Sequence, residues 1–442
     1  MHMGWPSTYV PVLVEGNYTF QITSEEGSWL TVMPLIGAII GAFLTGLIVN
    51  MFGRKTLIVF SSLPFIASWL LVAFAKSSAL MFVGRFLAGT ADGLSFTIIP
   101  MYLGEIAEPK IRGLLGSIFP VTIILGLLLI NILGAFLPLD TAAHISVVVP
   151  VLLLIIFPWM PESPYFYLMK GNMAEARKSL QTFRGVENVS VELERVSNEL
   201  EKLKQTEGSV FQLFTVKSNR KGMIITLGLR GLQQLSGTTT IIYYANTIFN
   251  ESKGFISPSF STIIYFTVQL FFAVIASFTV DFSGRRPLLI ISTVGTALSL
   301  FVNGVYFYLK KCTNVDTTEA DFIPIAALLC FVVLFSIGLQ TIPILILGEI
   351  FSTDVKGFAL SLVDIYASVV GTIVAKYFHW TNEAYGMHVP FLTFASCCII
   401  GLFFIIFYVP ETKGKTLEDI QMELREKSKV RYARRTEETR LY

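Results

Sequence analysis

Residues 161–221 read PESPYFYLMKGNMAEARKSLQTFRGVENVSVELERVSNELEKLKQTEGSVFQLFTVKSNRK. This is the long hydrophilic interval in the body of the chain, and apolar blocks of similar total size flank it. It opens Pro161-Glu162-Ser163-Pro164, and Met173–Phe183 and Val191–Gln205 have helix-like patterning. Such an interval is either a plain solvated loop or a folded linker joining two repeats. What flanks it decides between them.

Hydrophobic residues make up 53% of the 442, charged residues 14%, and the mean hydropathy is +0.65. A water-soluble chain carries charge on about a quarter of its residues. Here the apolar residues come in blocks of about 20, the length a helix needs to cross a bilayer. Spans are expected near 28–51, 56–76, 79–102, 114–137 and 144–160, then near 222–249, 259–281, 287–310, 322–348, 356–379 and 388–409. Met1–Leu13 is too short to span and reads as the second half of a first helix. The expected fold is an all-α membrane protein of two six-helix bundles, residues 1–160 and 222–409. A linker (161–221) joins them and a charged tail (410–442) follows.

Cys330, Cys397 and Cys398 lie in apolar segments and Cys312 in a loop, which is no disulfide framework. His2, His144, His379 and His388 lack metal-ligand spacing. Gly414-Lys415-Thr416 has Val409 where a phosphate loop needs glycine. No cofactor or metal is therefore expected. The basic residues are not gathered with aromatics on one soluble domain, which argues against nucleic acid as a partner.

Of the 33 Lys and Arg residues, 26 fall in the linker, the tail and the loops on the same side, against five opposite. The positive-inside rule then places the linker and both termini in the cytosol. Asn17-Tyr18-Thr19 and Asn250-Glu251-Ser252 become external glycosylation sequons, while Asn188-Val189-Ser190 faces inward.

The two halves echo each other. Gly53-Arg54-Lys55 matches Gly284-Arg285-Arg286. Leu103-Gly104-Glu105-Ile106 before Arg112-Gly113 matches Leu347-Gly348-Glu349-Ile350 before Lys356-Gly357, at the same spacing. Pro161-Glu162-Ser163 matches Pro410-Glu411-Thr412. Duplicated six-helix units are a transporter signature, with the substrate site between the halves. Arg54, Glu105, Arg112 and Glu162 in one half, and Arg285, Glu349, Lys356 and Glu411 in the other, suit a cytosolic gate of ion pairs, provided they reach between the bundles. The plainer alternative is that they only anchor helix ends at the interface. A gate role makes Glu162→Gln shift the balance between inward and outward states.

Gly46-x3-Asn50-x2-Gly53-Arg54-Lys55, Asp281-x2-Gly284-Arg285-Arg286, Gly84-Arg85, Pro100-x-Tyr102-x2-Glu105, Pro161-Glu162-Ser163-Pro164, Gln233-Gln234-Leu235-Ser236-Gly237 and Pro410-Glu411-Thr412-Lys413-Gly414 together resemble the sugar porter family of the major facilitator superfamily. With Gln269 the chain looks most like the insect trehalose-transporter-like branch. The resemblance implies the major facilitator fold and a small-molecule sugar substrate moved by alternating access. It departs from the family at Asn50, Pro120, Thr239, the Thr341-Ile342-Pro343-Ile344 run and Ala367-Ser368, where several sugar-hydroxyl partners are lost. The family's fold and cycle are therefore expected to carry over, and its hexose specificity is not.

A polyol leaving water needs many hydrogen bonds, and amides offer both donors and acceptors. Gln233, Gln234, Thr239, Tyr243, Gln269 and Gln340 are the candidate substrate contacts, although polar residues in membranes also bond helix to helix. Adjacent Gln233 and Gln234 cannot share a helix face, so one should face the cavity and the other a helix. Arg85 and Arg230 are charges inside apolar spans, a functional flag; snorkelling to the interface is the plainer reading of Arg230. Residues 4–9 hold no acid for proton coupling, and Asp92 in the fourth helix suits a polar helix contact. The expectation is a facilitative sugar transporter of the plasma membrane, monomeric as a transport unit, with lipid around it. A proton-coupled carrier of another polar solute, or a non-transporting sensor on the same fold, are the alternatives.

Overall fold

A computed structural model describes residues 1–16, 18–108, 111–205, 212–252, 256–313, 320–351, 353–413, 415, 420 and 422–424. Among these residues the regular structure is helical: α1 (Trp5–Val14), α2 (Ser24–Phe52), α3 (Arg54–Ala73), α4 (Ser78–Ile106), α5 (Arg112–Phe136), α6 (Leu139–Ile156), α7 (Pro164–Met169), α8 (Met173–Arg184), α9 (Ser190–Gln205), α10 (Gln212–Thr215), α11 (Lys217–Leu235), α12 (Thr238–Ser252), α13 (Pro258–Ser283), α14 (Arg285–Cys312), α15 (Ile323–Ile337), α16 (Ile342–Ile350), α17 (Thr353–Ala384) and α18 (His388–Tyr408).

Ten stretches among the described residues are long and apolar enough to cross a membrane, with α15 and α16 counting as one. The eleventh expected span, 222–249, is not a continuous helix. It is α11 and α12, broken at Ser236-Gly237, where Gly237 takes φ +77°. The span expected at 322–348 is likewise interrupted between α15 and α16. Breaks at membrane depth are tolerated where the backbone is buried in protein or lines a polar cavity.

The helices α1–α6 pack on one another, as do α11–α18, and the two sets meet along α2 against α17, α5 against α13, and α1 against α12. The helix starts are specified locally. Thr23 and Glu26 close a capping box on α2: Glu26 N–H donates to Thr23 Oγ1 (3.1 Å) and Thr23 N–H to the Glu26 carboxylate (2.9 Å). Helices α2 and α4 approach each other closely at small residues. A methyl group at Gly41 would stand 2.2 Å from the Thr90 carbonyl oxygen, and one at Gly89 would stand 2.0 Å from that of Pro34.

The linker is folded, as its patterning suggests. Leu168, Ala176, Leu180, Val189, Leu193 and Val196 make a small core of their own. Arg184 locks α8 to α9 through two bonds to Glu192 (3.0 and 2.9 Å) and reaches the Ile106 carbonyl at the end of α4 (2.8 Å). The Arg184 guanidinium holds the Glu192 carboxyl below its ordinary range. Ser179 Oγ donates to the Glu162 carbonyl (2.5 Å) and Tyr102 Oη to that of Pro161 (2.7 Å), so the linker is fastened beneath the first bundle.

Candidate functional site

The broken helices bring most of the candidate amides together. Gln233 is buried, and its Nε2 donates to the carbonyls of Leu339 (3.0 Å) and Gln340 (3.1 Å), which the α15–α16 break exposes. Its Oε1 accepts from Arg230 Nη1 (2.6 Å). Both amide protons and the oxygen are thus engaged by protein, and Gln233 is the member of the pair that faces a helix contact. Gln234 points elsewhere, as neighbours on a helix must. Its Oε1 accepts from Thr239 Oγ1 (2.6 Å) and lies 3.4 Å from a methyl built on Gly371, where Leu35 of the first bundle also approaches. Gln234 and Thr239 therefore sit at the seam between the halves.

Gln269 and Gln340 form a second pair, with Nε2 of Gln269 3.4 Å from Oε1 of Gln340, which also accepts from Ser336 (3.0 Å). The Gln269 Oε1 and the Tyr243 hydroxyl are buried and have no partner among the described residues. An unpaired buried polar atom costs about 1–3 kcal/mol, so these two gain most from a ligand hydroxyl.

Arg85 is fully enclosed. It donates to the carbonyls of His2 (2.7 Å) and Leu30 (3.3 Å) and lies over the Trp5 ring (4.9 Å). Asp92 Oδ1 accepts from His2 Nε2 at 2.7 Å, a polar contact between α4 and the turn ahead of α1.

The duplicated charge clusters appear as duplicated geometry at the linker end of the bundles. Arg54 pairs with Glu105 (Nη2 2.9 Å, Nε 3.1 Å) and Arg285 with Glu349 (3.0 Å). Glu162 receives the backbone N–H groups of Arg54 and Lys55 at 3.0 Å each, and Glu411 those of Arg285 (3.0 Å) and Arg286 (3.1 Å). Each glutamate caps a helix start, α3 or α14. The preceding Gly53 and Gly284 take φ +91° and +86°, and a methyl on Gly53 would meet Glu162 Oε2 at 2.4 Å. Arg54 with Glu105, and Arg285 with Glu349, stay inside one bundle; neither pair bridges the two, as a simple inter-bundle gate would require. The side chains of Arg112 and Lys356 lie outside the described residues, as does Asn17. Asn250 is exposed on α12, while Ser252 of its sequon is buried and bonded to the Phe249 carbonyl (2.7 Å).

Glu162→Ala is expected to lower the thermal stability of the detergent-extracted protein by about 1–2 kcal/mol, the scale of a lost helix cap. Glu162→Gln, which keeps one acceptor oxygen, should lose less; thermal melting of both variants checks the order. Burial alone would raise the Glu411 carboxyl, but the N–H groups of Lys413, Arg285 and Arg286 outweigh it and hold it below its ordinary 4.5. Its contribution is therefore complete above pH 4.5 and is lost as pH falls through the lowered value. Melting against pH should show that acid-side loss in the wild type and a shallower one in Glu411→Gln.

Sequence reasoning missed the charges that do cross the seam, which stand at the opposite end from the linker. Lys376 Nζ on α17 meets Glu25 Oε1 on α2 at 2.7 Å and Ser28 Oγ at 2.6 Å, and lies over the Trp29 ring at 4.2 Å. Ser24 Oγ donates to Glu383, and His379 Nε2 stands 3.6 Å from Glu25 and 3.5 Å from Glu383. The signal was available: residues 376, 379 and 383 recur at i, i+3 and i+7 on one helix face. Asp364 was missed as well. It is an acid within the span expected at 356–379, and it pairs with Arg230 at 2.9 Å. Arg230 is held there rather than snorkelling to the interface.

Comparison with known proteins agrees with this architecture. The family model described as Sugar (and other) transporter matches residues 8–424. The facilitated trehalose transporter Tret1 of Bombyx mori is 35% identical over 427 residues, covering 96% of this chain and 84% of that one. The Aedes aegypti protein of the same name is 36% identical over 433 residues, and there the chain spans about half the relative's length, 53%. Among solved structures, the proton:xylose symporter XylE bound to 6-bromo-6-deoxy-D-glucose superposes with a TM-score of 0.78 at 23% identity over 96% of both chains. An inward open XylE from E. coli gives 0.76 at 23% identity over 95% of both. These two show the major facilitator fold.

Proposed function

This chain belongs to the Sugar (and other) transporter family, and we propose that it carries trehalose or a hexose across the plasma membrane by facilitated, alternating access. The observation that carries the reading is the set of hydrogen-bonding groups at the α11–α12 break. Gln234 and Thr239 stand at the seam, and Gln269 and Tyr243 hold buried polar atoms with no described partner. A polyol entering there satisfies atoms that are otherwise costly to bury.

The linker end faces the cytosol in this reading, supported by the 26 basic residues gathered there. The Lys376–Glu25 contact then closes the outer side, and the capped pairs at Arg54 and Arg285 keep each bundle rigid while the two rock. Facilitation is favoured over proton coupling because both described hydrogen bonds of Arg85 go to backbone carbonyls. The Asp92–His2 contact is the observation that favours a symporter instead.

Uptake of radiolabelled trehalose and glucose by the full chain in oocytes tests the proposal. Saturable uptake of either sugar, unchanged by a protonophore, is expected. Uptake that collapses with the proton gradient supports the symporter, and no uptake of any sugar by correctly inserted protein overturns the sugar reading.

A further inference from the structure

Arg230 and Asp364 are opposite charges placed within membrane-depth helices, α11 and α17, where ionisable groups are costly and mark function by default. Their side chains are mostly enclosed, 12% and 18% exposed, and so still reach water. The pair is also incompletely used. Arg230 spends one N–H on Asp364 Oδ1 (2.9 Å) and one on Gln233 Oε1 (2.6 Å), which leaves three of its five donors and Asp364 Oδ2 without a partner among the described residues.

Its position is on the seam between the bundles. Seven residues beyond Asp364 on α17, Gly371 meets Leu35 of α2 and Gln234 of α11 (3.4 Å each, from a methyl built on Gly371). Three residues before it, Ser361 Oγ lies 3.7 Å from a methyl built on Gly46 of α2. These positions share one face of α17, so Asp364 lies between the two points where that helix meets the first bundle. On α11, Arg230 is one turn from Gln234, which also touches the seam.

From this arrangement we propose that Arg230 and Asp364 are specificity-determining residues that read two adjacent hydroxyls of the sugar. Asp364 Oδ2 accepts from one hydroxyl, and a free Arg230 N–H donates to its neighbour. A carboxylate beside a guanidinium fork presents an acceptor and donors side by side, and charged partners make hydrogen bonds about twice as strong as neutral ones. The amides named above pair a donor with an acceptor as well, but without the charge. The same contact orients Gln233, because the Arg230 donor fixes its oxygen and turns its nitrogen to the α15–α16 carbonyls. This proposal rests on the sugar-transport reading.

The test uses the purified full chain in proteoliposomes, with glucose, its 2-, 3-, 4- and 6-deoxy analogues, and trehalose as probes. Asp364→Asn is expected to raise KM for the best sugar by about tenfold or more, the scale of one lost charge-assisted bond, with the maximal rate within about twofold. It should also erase the wild-type discrimination against one particular deoxy sugar. Should Asp364→Asn fail to fold, Asp364→Glu is measured in its place and should change the same single position of the deoxy series. Unchanged KM values overturn the proposal, as does a loss of maximal rate alone that R230D/D364R restores, since that marks the pair as a helix staple. A wild type that carries sugars while Asp364 variants leave KM unmoved overturns only this inference; a wild type that carries none overturns the transport reading along with it.

Discussion

Gly89→Ala is expected to leave almost no folded, monodisperse protein after detergent extraction, whereas Gly116→Ala is expected to match the wild type within about twofold. The two substitutions add the same methyl group. At Gly89 it would stand 2.0 Å from the Pro34 carbonyl oxygen and 2.5 Å from the Pro34 Cα, well inside the 3.0 Å that real Cβ contacts essentially never breach. Both neighbours are backbone atoms of α2, so no rotamer change relieves the clash. The helices must separate, and Gly41 and Gly93 on the same seam lose their contacts in turn. Overpacking of a close interface costs about 1–3 kcal/mol and more where backbone must shift, a large part of the roughly 5–15 kcal/mol that holds a domain. At Gly116 nothing lies within 4 Å, and alanine is the better helix former. Fluorescence-detected size exclusion with a thermal ramp separates the two. Equal yields and melting temperatures would show that α2 and α4 do not depend on that close approach.

Lys376→Glu is expected to open the seam at the end remote from the linker and to slow transport severalfold. The wild-type pair is partly exposed, Lys376 by 23% and Glu25 by 62%, so the bond itself contributes only about 0–1 kcal/mol. Charge reversal does more than remove it, because a carboxylate then faces Glu25 with Glu383 close by. Like charges about 4 Å apart in a screened setting repel by about 1 kcal/mol each or more. A bias of about 1.4 kcal/mol moves a two-state equilibrium tenfold. A cysteine at Ser28, buried beside Lys376 in the wild type, should react with a membrane-impermeant maleimide about tenfold faster in the reversed variant. Adding Glu25→Lys should return labelling toward the wild-type rate. Labelling that ignores both changes would mean that these charges do not latch the halves together.

Much of this was legible in the sequence because the repeat is written in residues with hard physical requirements. A glycine at φ near +90° before a basic pair, and a glutamate after a proline, recur because each bundle needs the same tight turn and the same carboxylate cap. Gly37-x3-Gly41 and Gly89-x3-Gly93 have a spacing that lets helices approach closely, and α2 and α4 touch there. What the sequence could not display was direction across the seam. The cluster at Arg54 and Arg285 suits a gate between bundles, yet the Arg54–Glu105 and Arg285–Glu349 pairs each lie within one, while Lys376, a single basic residue in an apolar span, bridges the two. Periodicity also hid the breaks. The run from 222 to 249 is hydrophobic enough to read as one helix, and only Gly237 marks the bend that turns Gln233 toward α15 and α16. Arg230 seemed free to snorkel because its partner Asp364 lies 134 residues away, a separation over which pattern carries no information.

The most direct measurement of the central claim is counterflow in proteoliposomes with no ion gradient. Vesicles preloaded with unlabelled trehalose or glucose and diluted into labelled sugar should accumulate the label transiently above its equilibrium level, which a carrier exposing one site alternately to each side must produce. Wild-type protein that inserts and melts cooperatively, yet shows no overshoot with either sugar, would contradict facilitated sugar transport by this chain.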